Sequence, residues 1–245
     1  MFETVFRSED LPVQDRFEGW RECLSRAHAP MEIRSAHAAD FRAHLRHLEL
    51  GPVTVWPTTF QPMTFQRTGK LIRQSDPEVF HVSLLLRGTA GLTRGTEEAS
   101  LSSYDLHTND SGRPWEIRTG EQGPISSVGL EVPRAVLPLP QDRVARVVGR
   151  PLSGREGVGA LLAGLLARLA ADPGPYRPGD GPRIGLALAD LMAALFAQVL
   201  DAEAALPPES RQRTLALRVQ SFVLQRLHDA DLTPRDIAAA HHISV

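Results

Sequence analysis

The chain has 245 residues, a formal net charge of −2, 42% hydrophobic and 23% charged residues. These values are typical of a globular protein, and they exclude a disordered chain or a polycation that coats nucleic acid non-specifically. The single cysteine, Cys23, has no partner for an internal disulfide, which favours a reducing, cytoplasmic location. The most apolar stretches, 158–171 and 184–200, contain charged residues and the N-terminus has no signal-peptide pattern, so no membrane association is expected.

The N-terminal region is predicted to form one helix followed by a β-barrel. In "VQDRFEGWRECLSRAHA", the apolar residues Phe17, Trp20, Leu24 and Ala27 recur at helical spacing. Short strand-like runs then alternate with glycine and proline, as in "VTVWPTT", "VFHVSLLLRG", "PWEIRTG" and "ISSVGLEV". Consecutive hairpins of this kind predict a small antiparallel barrel or jelly roll over about residues 31–133.

A helical region is predicted over about residues 134–204. The stretches "GVGALLAGLLARLAAD" and "IGLALADLMAALFAQVLDAEAA" have strong helical patterns, and the turn-rich "DPGPYRPGDGP" separates them. Both helices are apolar around much of their circumference. They therefore form either a simple buried pair or, in part, a homodimer interface. The proline-containing "LPPESRQR" at 205–212 is predicted to be a linker between domains.

The C-terminal stretch "LTPRDIAAAHHISV" has the signals of a helix followed by a tight turn. Thr233 is a good N-cap, Pro234 suits the first helical position, and Asp236 completes a capping box. A turn is predicted at His242–Ile243, after which Ser244 can cap a second helix. A preceding helix in "TLALRVQSFVLQRLHD" would support this unit. The spacing predicts a helix-turn-helix, and an ordinary helical hairpin is the alternative.

Three segments, in the right order, resemble one family. The stretch "DLTPRDIAAAHHIS" is similar to the first helix-turn-helix of AraC-type (AraC/XylS) transcriptional regulators. The stretch "LPVQDRFEGWRECLSR" resembles the N-terminal helix of regulators with an AraC-like ligand-binding domain. The segment from "FQRTGKLIRQ" to "GRPWEI" resembles the cupin-type barrel core of that domain. Ser103, Tyr104 and Asp105 stand where the family commonly has Gly-Asp, so a different turn is expected there.

The resemblance implies an α+β chain in which residues 1–204 form a cupin-like sensing domain that also dimerises. Residues 213–245 are then a partial, all-α DNA-binding domain, with Thr233, Arg235 and Ser244 assigned to contacts with promoter DNA. This segment is much shorter than two helix-turn-helix units. The chain is therefore expected to be truncated within its first unit, to form a homodimer and to bind DNA only weakly.

The interior of the predicted barrel is a candidate pocket for a small-molecule effector. Its predicted lining is Trp56, Phe65, His81, Leu85 and Trp115. The alternative is that these side chains fill a solid core. No metal or other cofactor is predicted, because no H-x-H pair is followed by a suitably spaced glutamate. Histidines such as His81 and His107 are expected to be surface residues or hydrogen-bonded structural residues.

An enzyme is not predicted. The glycine-rich "GREGVGA" lacks the G-K-[ST] of a P-loop, and the chain contains no G-x-S-x-G nucleophile motif. Two alternatives to a DNA-binding regulator stay open. One is a cupin-type enzyme with a metal bound near His81 and His107. The other is a dimerisation module that acts without DNA, by forming mixed dimers with full-length relatives.

Overall fold

The computed structural model describes residues 2–137, 139–172, 176–204, 232–241 and 243, together with residues 216, 219–220, 222–223 and 226. The predicted linker at 205–212 and the predicted cap Ser244 lie outside the described residues. The fold is α+β, as predicted, and it combines two antiparallel sheets with a layer of helices.

The strands of the described part of the chain are β1 (Phe2–Arg7), β2 (Glu32–Arg34), β3 (Ala43–Leu50), β4 (Val53–Phe60), β5 (Thr64–Arg67), β6 (Val79–Arg87), β7 (Ala90–Arg94), β8 (Glu97–Leu101), β9 (Asp105–Asp110), β10 (Trp115–Thr119), β11 (Ile125–Pro133) and β12 (Leu152–Ser153). The larger sheet has seven strands in the order β1-β3-β4-β11-β6-β9-β12, and the smaller has five in the order β2-β5-β10-β7-β8. All the strand pairs described are antiparallel.

The α-helices of the described part are α1 (Arg16–Ala27), α2 (Gly69–Gln74), α3 (Gln141–Val147), α4 (Gly157–Ala171), α5 (Gly181–Ala204) and α6 (Pro234–His241). Helix α1 packs on the barrel through the buried side chains of Trp20 and Leu24. Helices α3, α4 and α5 form a layer on the other face of the larger sheet, where their apolar side chains pack against β4, β6 and β11.

The larger sheet thus separates two hydrophobic cores. The helix–sheet core lies between it and the helices, and it includes Leu84, Leu130 and Phe196. The barrel core lies between the two sheets and α1, and it includes Trp20, Trp56 and other aromatic side chains. Alternate residues of the central strands point to opposite faces of a sheet, so each of these strands contributes to both cores.

Helix α5 lies close against the turn between β3 and β4. A Cβ atom at Gly185 would come within 2.0 Å of the carbonyl oxygen of Leu50, so only glycine allows this approach. By length and composition alone, the stretch Gly181–Asp201 could cross a membrane. Leu188, Met192 and Phe196, however, are fully buried on one of its faces, as in a core helix of a soluble protein.

Two local features differ from the sequence predictions. No strand was predicted before residue 31, yet β1 pairs with β3 along Phe2–Arg7, a segment too short to show a clear alternation. A different turn was expected at Tyr104 because glycine is absent there. In the structure, Tyr104 itself takes the left-handed conformation that glycine adopts most readily, with φ of 66°. Its N–H donates to the Leu85 carbonyl at 2.6 Å, and its carbonyl accepts from the Gly154 N–H at 2.9 Å, which holds this conformation in place.

Candidate functional site: a cavity inside the barrel

The barrel interior contains a cavity of about 120 Å³. Its walls come from both sheets and from α1, and they are mostly apolar, as in typical small-molecule sites. The aromatic members of the lining are Trp20, Trp56, Phe60, Phe65 and Trp115. The alternative of a solid core therefore does not describe this barrel. The cavity exists because bulky rings on opposite walls leave space that no neighbouring side chain fills.

The strand pattern explains which residues reach the cavity. Along β11, Ser127, Gly129 and Glu131 line the cavity, while Val128 and Leu130 point into the helix–sheet core. On strand β6, His81 and Ser83 line the cavity, while Val82 and Leu84 point into the helix–sheet core. Small and polar side chains thus alternate with aliphatic ones on strands that are buried on both faces.

The cavity also contains polar atoms without a hydrogen-bond partner among the described residues. They are Nε1 of Trp20, Nε1 of Trp115, Nδ1 of His81 and Nδ1 of His107. All four residues line the cavity. A buried polar group without a partner costs about 1–3 kcal/mol of stability, so such groups mark either a functional site or bound molecules. Their convergence on one cavity makes it the candidate ligand site, because a polar ligand there would supply the missing bonds.

Three ligand-capable side chains meet in one wall of this cavity. His28, His81 and Glu131 each present a nitrogen or oxygen atom, and these atoms lie within 4.8 Å of one another. Nδ1 of His28 is 2.5 Å from Oε1 of Glu131, and Nδ1 of His81 is 3.9 Å from the same oxygen. The His28 ring stacks on Trp56 with a centroid separation of 3.4 Å and an interplanar angle of 8°.

The backbone around His28 is held from both sides. His28 ends α1, where its N–H donates to the Leu24 carbonyl at 2.8 Å. Two residues later, the carbonyl of Pro30 accepts a hydrogen bond of 2.5 Å from the guanidinium of Arg67. Arg67 is fully buried and also donates to the carbonyls of Ser75 and Ser111. This buried cation therefore fixes the segment that carries His28 against the barrel.

Burial controls the charge state of the histidines in the cavity. It lowers the pKa of His107 to about 4. It also holds the pKa of His81 well below its ordinary value, and the neighbouring His28 and His107 add to this shift. Both imidazoles are consequently neutral near pH 7, and each can donate through one nitrogen and accept through the other.

The structure places the predicted lining residues Trp56, Phe65, His81, Leu85 and Trp115 around this cavity. The expectation for the histidines was wrong. His107 is buried and His81 is largely buried, with ring centroids 6.2 Å apart, and their Nδ1 atoms have no hydrogen-bond partner among the described residues. The sequence did not reveal their burial, because a lone histidine in a strand is compatible with either face.

His28, Glu131 and Trp20 were not predicted from the sequence as members of the site. For Glu131 a signal was present, since "ISSVGLEV" places polar or small residues at every second position of an otherwise aliphatic strand. For His28 and Trp20 no comparable signal exists. They reach the cavity only because α1 docks on the barrel, and helical spacing does not show where a helix docks.

Of the residues assigned to DNA, Arg235 lies on α6 and Thr233 directly precedes it, while Ser244 lies outside the described residues. Thr233 caps this helix: its Oγ1 accepts from the Asp236 N–H at 3.2 Å, and its own N–H donates to the Asp236 carboxylate at 2.9 Å. This is a capping box. The Ile243 N–H donates to the Ala238 carbonyl at 3.0 Å, the bond that closes a helix end before a turn. Thr233 and Arg235 are exposed.

A barrel with an internal cavity, backed by a helical layer, gives this chain a fold of the cupin-like class. A family model for the AraC-binding-like domain matches residues 20–201. The chain therefore belongs to the family of AraC-binding-like domains.

Relatives and solved structures agree with this family. The chain is 28% identical over 185 residues to the transcriptional activator NphR of a Rhodococcus species, a match that covers 74% of this chain and 54% of the relative. It is 22% identical to an uncharacterised protein in the nit 5′ region of Bacillus sp. strain OxB-1, covering 55% of this chain and 52% of that protein. The chain thus spans about half the length of these curated relatives. The crystal structure of the AraC-like transcriptional activator CuxR has the same fold, with a TM-score of 0.69 at 21% identity, covering 99% of this chain and 85% of that one.

Proposed function

We propose that this protein is a cytoplasmic transcriptional regulator of the AraC type, in which the barrel cavity binds a small effector and the C-terminal segment contacts promoter DNA. The observation that carries the sensing role is the cavity, with unpartnered polar atoms of Trp20, His81, His107 and Trp115 around it. Membership of the AraC-binding-like family and the similarity to an activator support the regulatory role. The same similarity favours the predicted absence of enzymatic activity.

The chemistry of the lining indicates the class of effector. Apart from histidines, Glu131 is the one ionisable side chain in the described lining, and neither arginine nor lysine is part of it. A carboxylate or phosphate would therefore enter without a cation to balance its charge. The indole N–H groups of Trp20 and Trp115 can only donate. We infer an uncharged effector with a planar apolar body and hydrogen-bond acceptors. The cavity of about 120 Å³ is slightly smaller than the ~150 Å³ cavity known to hold benzene, so a single ring is the upper limit of size.

Strand β9 provides a route from the cavity to the helices. His107 and Asn109 line the cavity, and Thr108 between them faces the other side of the sheet. There its Oγ1 accepts a hydrogen bond of 3.0 Å from the Gly149 N–H, just after α3. A ligand that shifts His107 would therefore act through one strand on the end of α3. His107 in the cavity wall and the hydrogen bond between Thr108 and Gly149 thus form a continuous physical connection between the proposed sensor and the helical layer.

The tryptophans supply a direct test of effector binding. The chain contains three tryptophans, and all of them line the cavity. We expect benzamide, a neutral one-ring probe, to change the intrinsic tryptophan emission of the full chain in a saturable way, and benzoate to bind at least about tenfold more weakly. The variant Leu85→Phe fills the cavity and is expected to abolish the response. Val13→Phe enlarges an exposed apolar side chain outside the lining and is the control.

A response to neither probe, or one that persists unchanged in Leu85→Phe, would argue against effector binding in the cavity. Preferred binding of benzoate would retain the cavity as the binding site but overturn the assignment of an uncharged effector.

We include a homodimer in the proposal, formed through the outer faces of α4 and α5. Leu161 and Leu186 are 63% and 53% exposed on these helices, unusually high values for leucine side chains on otherwise packed elements. The double variant Leu161→Glu, Leu186→Glu is expected to be monomeric by size-exclusion chromatography with light scattering. Val13→Glu changes an exposed apolar residue that is distant in sequence from α4 and α5, and it should leave the mass of the dimer unchanged. A dimer that survives the double variant would contradict this interface.

We propose that Thr233, Arg235 and Ser244 contact promoter DNA. Arg235 is exposed in the first turn of α6, where the helix N-terminus also favours a phosphate. In anisotropy titrations with DNA from upstream of its own gene, Arg235→Ala should weaken binding and lower the salt slope by about 1. Arg34→Ala, an equally exposed arginine on β2, is the control. Identical salt slopes for Arg235→Ala and the parent chain would exclude a phosphate contact there.

A further inference from the structure

We propose that His28, His81 and Glu131 form a binding site for one divalent transition-metal ion of the zinc type in the wall of the barrel cavity. The three side chains come from three separate parts of the fold, namely the end of α1, strand β6 and strand β11. This inference concerns a different ligand from the effector, and of the atoms that carry it only Nδ1 of His81 also belongs to the argument for the effector.

The distances match the requirements of a metal site. Zinc binds imidazole nitrogens and carboxylate oxygens at about 2.0–2.2 Å, so neighbouring ligand atoms in a tetrahedral site lie roughly 3.3–3.6 Å apart. The nitrogens of His28 and His81 are 2.5 Å and 3.9 Å from Oε1 of Glu131, values that lie on either side of this spacing. Small rotations of the two rings bring both nitrogen–oxygen distances to about 3.3–3.6 Å. An ion placed there replaces the hydrogen-bond proton between His28 and Glu131.

An unsatisfied nitrogen supports the assignment. Nδ1 of His81 is buried and has no hydrogen-bond partner among the described residues, although the ring lies beside a carboxylate. A neutral imidazole with a free nitrogen is the form that binds metals. A metal ion would satisfy this nitrogen and neutralise the charge of Glu131 at the same time.

The surroundings hold the ligands in position. Trp56 stacks on His28, and Gly129 leaves room for the His81 ring, since a Cβ atom there would lie 2.7 Å from its Cε1. Outer contacts of this kind orient metal ligands and contribute to affinity. The site belongs to the two-histidine, one-carboxylate type, which leaves coordination positions open.

The ligand types indicate which ions bind. Imidazole suits zinc, copper, iron, cobalt and nickel, whereas magnesium and calcium prefer oxygen ligands alone. The described part of the wall has no thiolate beside these residues, since the one cysteine, Cys23, is absent from the lining. We therefore expect zinc and cobalt to compete with each other at this site and magnesium not to compete with either.

The test uses the untagged full chain, stripped with a chelator and titrated with zinc in a calorimeter and with cobalt in a spectrophotometer. We expect one ion per chain and visible cobalt bands of the intensity given by four- or five-coordinate sites. His81→Ala and Glu131→Gln should each weaken zinc binding at least about 100-fold. Glu131→Gln keeps the size of the side chain, so it remains informative if His81→Ala does not fold. His37→Ala, at an exposed histidine, is the control.

Binding of less than one ion per chain would overturn the site. So would one ion whose affinity is the same in the parent chain, His81→Ala and Glu131→Gln, because that result assigns the ion to other surface groups. A loss of affinity in both variants, with His37→Ala unchanged, supports it. These titrations contain no effector probe. A failure here therefore leaves the tryptophan response, and the proposed sensing role, unaffected.

Discussion

The two faces of the larger sheet use the same strands for different purposes. On the helix side, the core is built mostly of leucine, valine and alanine, packed from β4, β6 and β11 against α4 and α5. On the barrel side, the same strands present histidine, serine, glycine and glutamate among aromatic rings around a cavity. One face therefore has the dense packing that stabilises a domain, and the other tolerates empty space and unpaired polar atoms.

This difference indicates where the fold obtains its stability. Close packing contributes dispersion and hydrophobic energy, and unpaired polar atoms or empty space reduce it. The barrel face can carry a costly binding site because the helix–sheet core supports the same strands from behind. The comparison is testable residue by residue, since neighbouring positions on one strand belong to different cores.

The largest expected effect comes from neighbouring leucines on β6. Leu84 lies fully buried in the helix–sheet core, and Leu85 lines the cavity. Leu84→Ala is expected to lower the free energy of unfolding by about 3–4 kcal/mol, because it opens a new hole in a dense core. Leu85→Ala is expected to cost about 2 kcal/mol, since part of that side chain already faces empty space. Urea denaturation followed by circular dichroism measures both.

Ligand measurements on the same two variants complete the comparison. Leu85→Ala should change the tryptophan response to benzamide, and Leu84→Ala should leave it close to that of the parent chain. If both variants lose the same stability and the same response, the sheet does not separate the two functions.

The sequence was sufficient to predict much of the fold for a physical reason. The strands β3, β4, β6, β10 and β11 and the helices α1, α4 and α5 have strong periodicity and are bounded by glycine or proline. Such local signals decide between helix and strand without any knowledge of distant contacts. Weak or short elements such as β1, α2 and α3 lack this periodicity, and their positions depend on packing against residues far away in the chain.

The site was less predictable, because it depends on how distant elements meet. Trp56 and Trp115 were reasonable pocket residues from strand position and size alone. Whether their rings fill the interior or leave a cavity depends on the exact spacing of the two sheets, and the sequence does not show that spacing. His28 joins His81 and Glu131 only through the docking of α1 and the hydrogen bond from Arg67. Neither contact leaves a local pattern.

An intermediate effect is expected from acid, and it should come from the barrel face. The pKa of His107 is about 4 in the folded protein, below the ordinary value of 6.5. As the pH falls below 6.5, the unfolded chain binds a proton that the folded protein does not accept, so stability is lost until the pH reaches about 4. Between pH 7 and pH 5 this loss is about 2 kcal/mol at most. His81 and His47, whose pKa values are also lowered, contribute in the same direction.

The variant His107→Asn isolates the contribution of this one group. Asparagine keeps a polar atom near the position of Nδ1 but has no proton to gain in this range. The free energy of unfolding of His107→Asn should therefore fall less between pH 7 and pH 5 than that of the parent chain. Parallel pH profiles of the two proteins would show that His107 titrates normally and is not sealed from water.

The smallest effect compares the same methyl group on the two sides of the structure. An alanine at Gly129, on the cavity face of β11, would place its Cβ atom 2.7 Å from the His81 ring. The ring must move, so we expect Gly129→Ala to cost about 1 kcal/mol of stability and to weaken zinc binding.

Gly164 lies exposed on α4, where an added methyl group would meet no atom within 4 Å, and alanine is the better helix former by about 0.5–1 kcal/mol. Gly164→Ala should therefore stabilise the protein and leave zinc affinity unchanged. Thermal melting of both variants, with and without zinc, shows whether each substitution raises or lowers the stability and whether zinc still stabilises the protein. If both substitutions change the stability in the same direction, His81 is free to move within the cavity, and the position of its ring does not depend on Gly129.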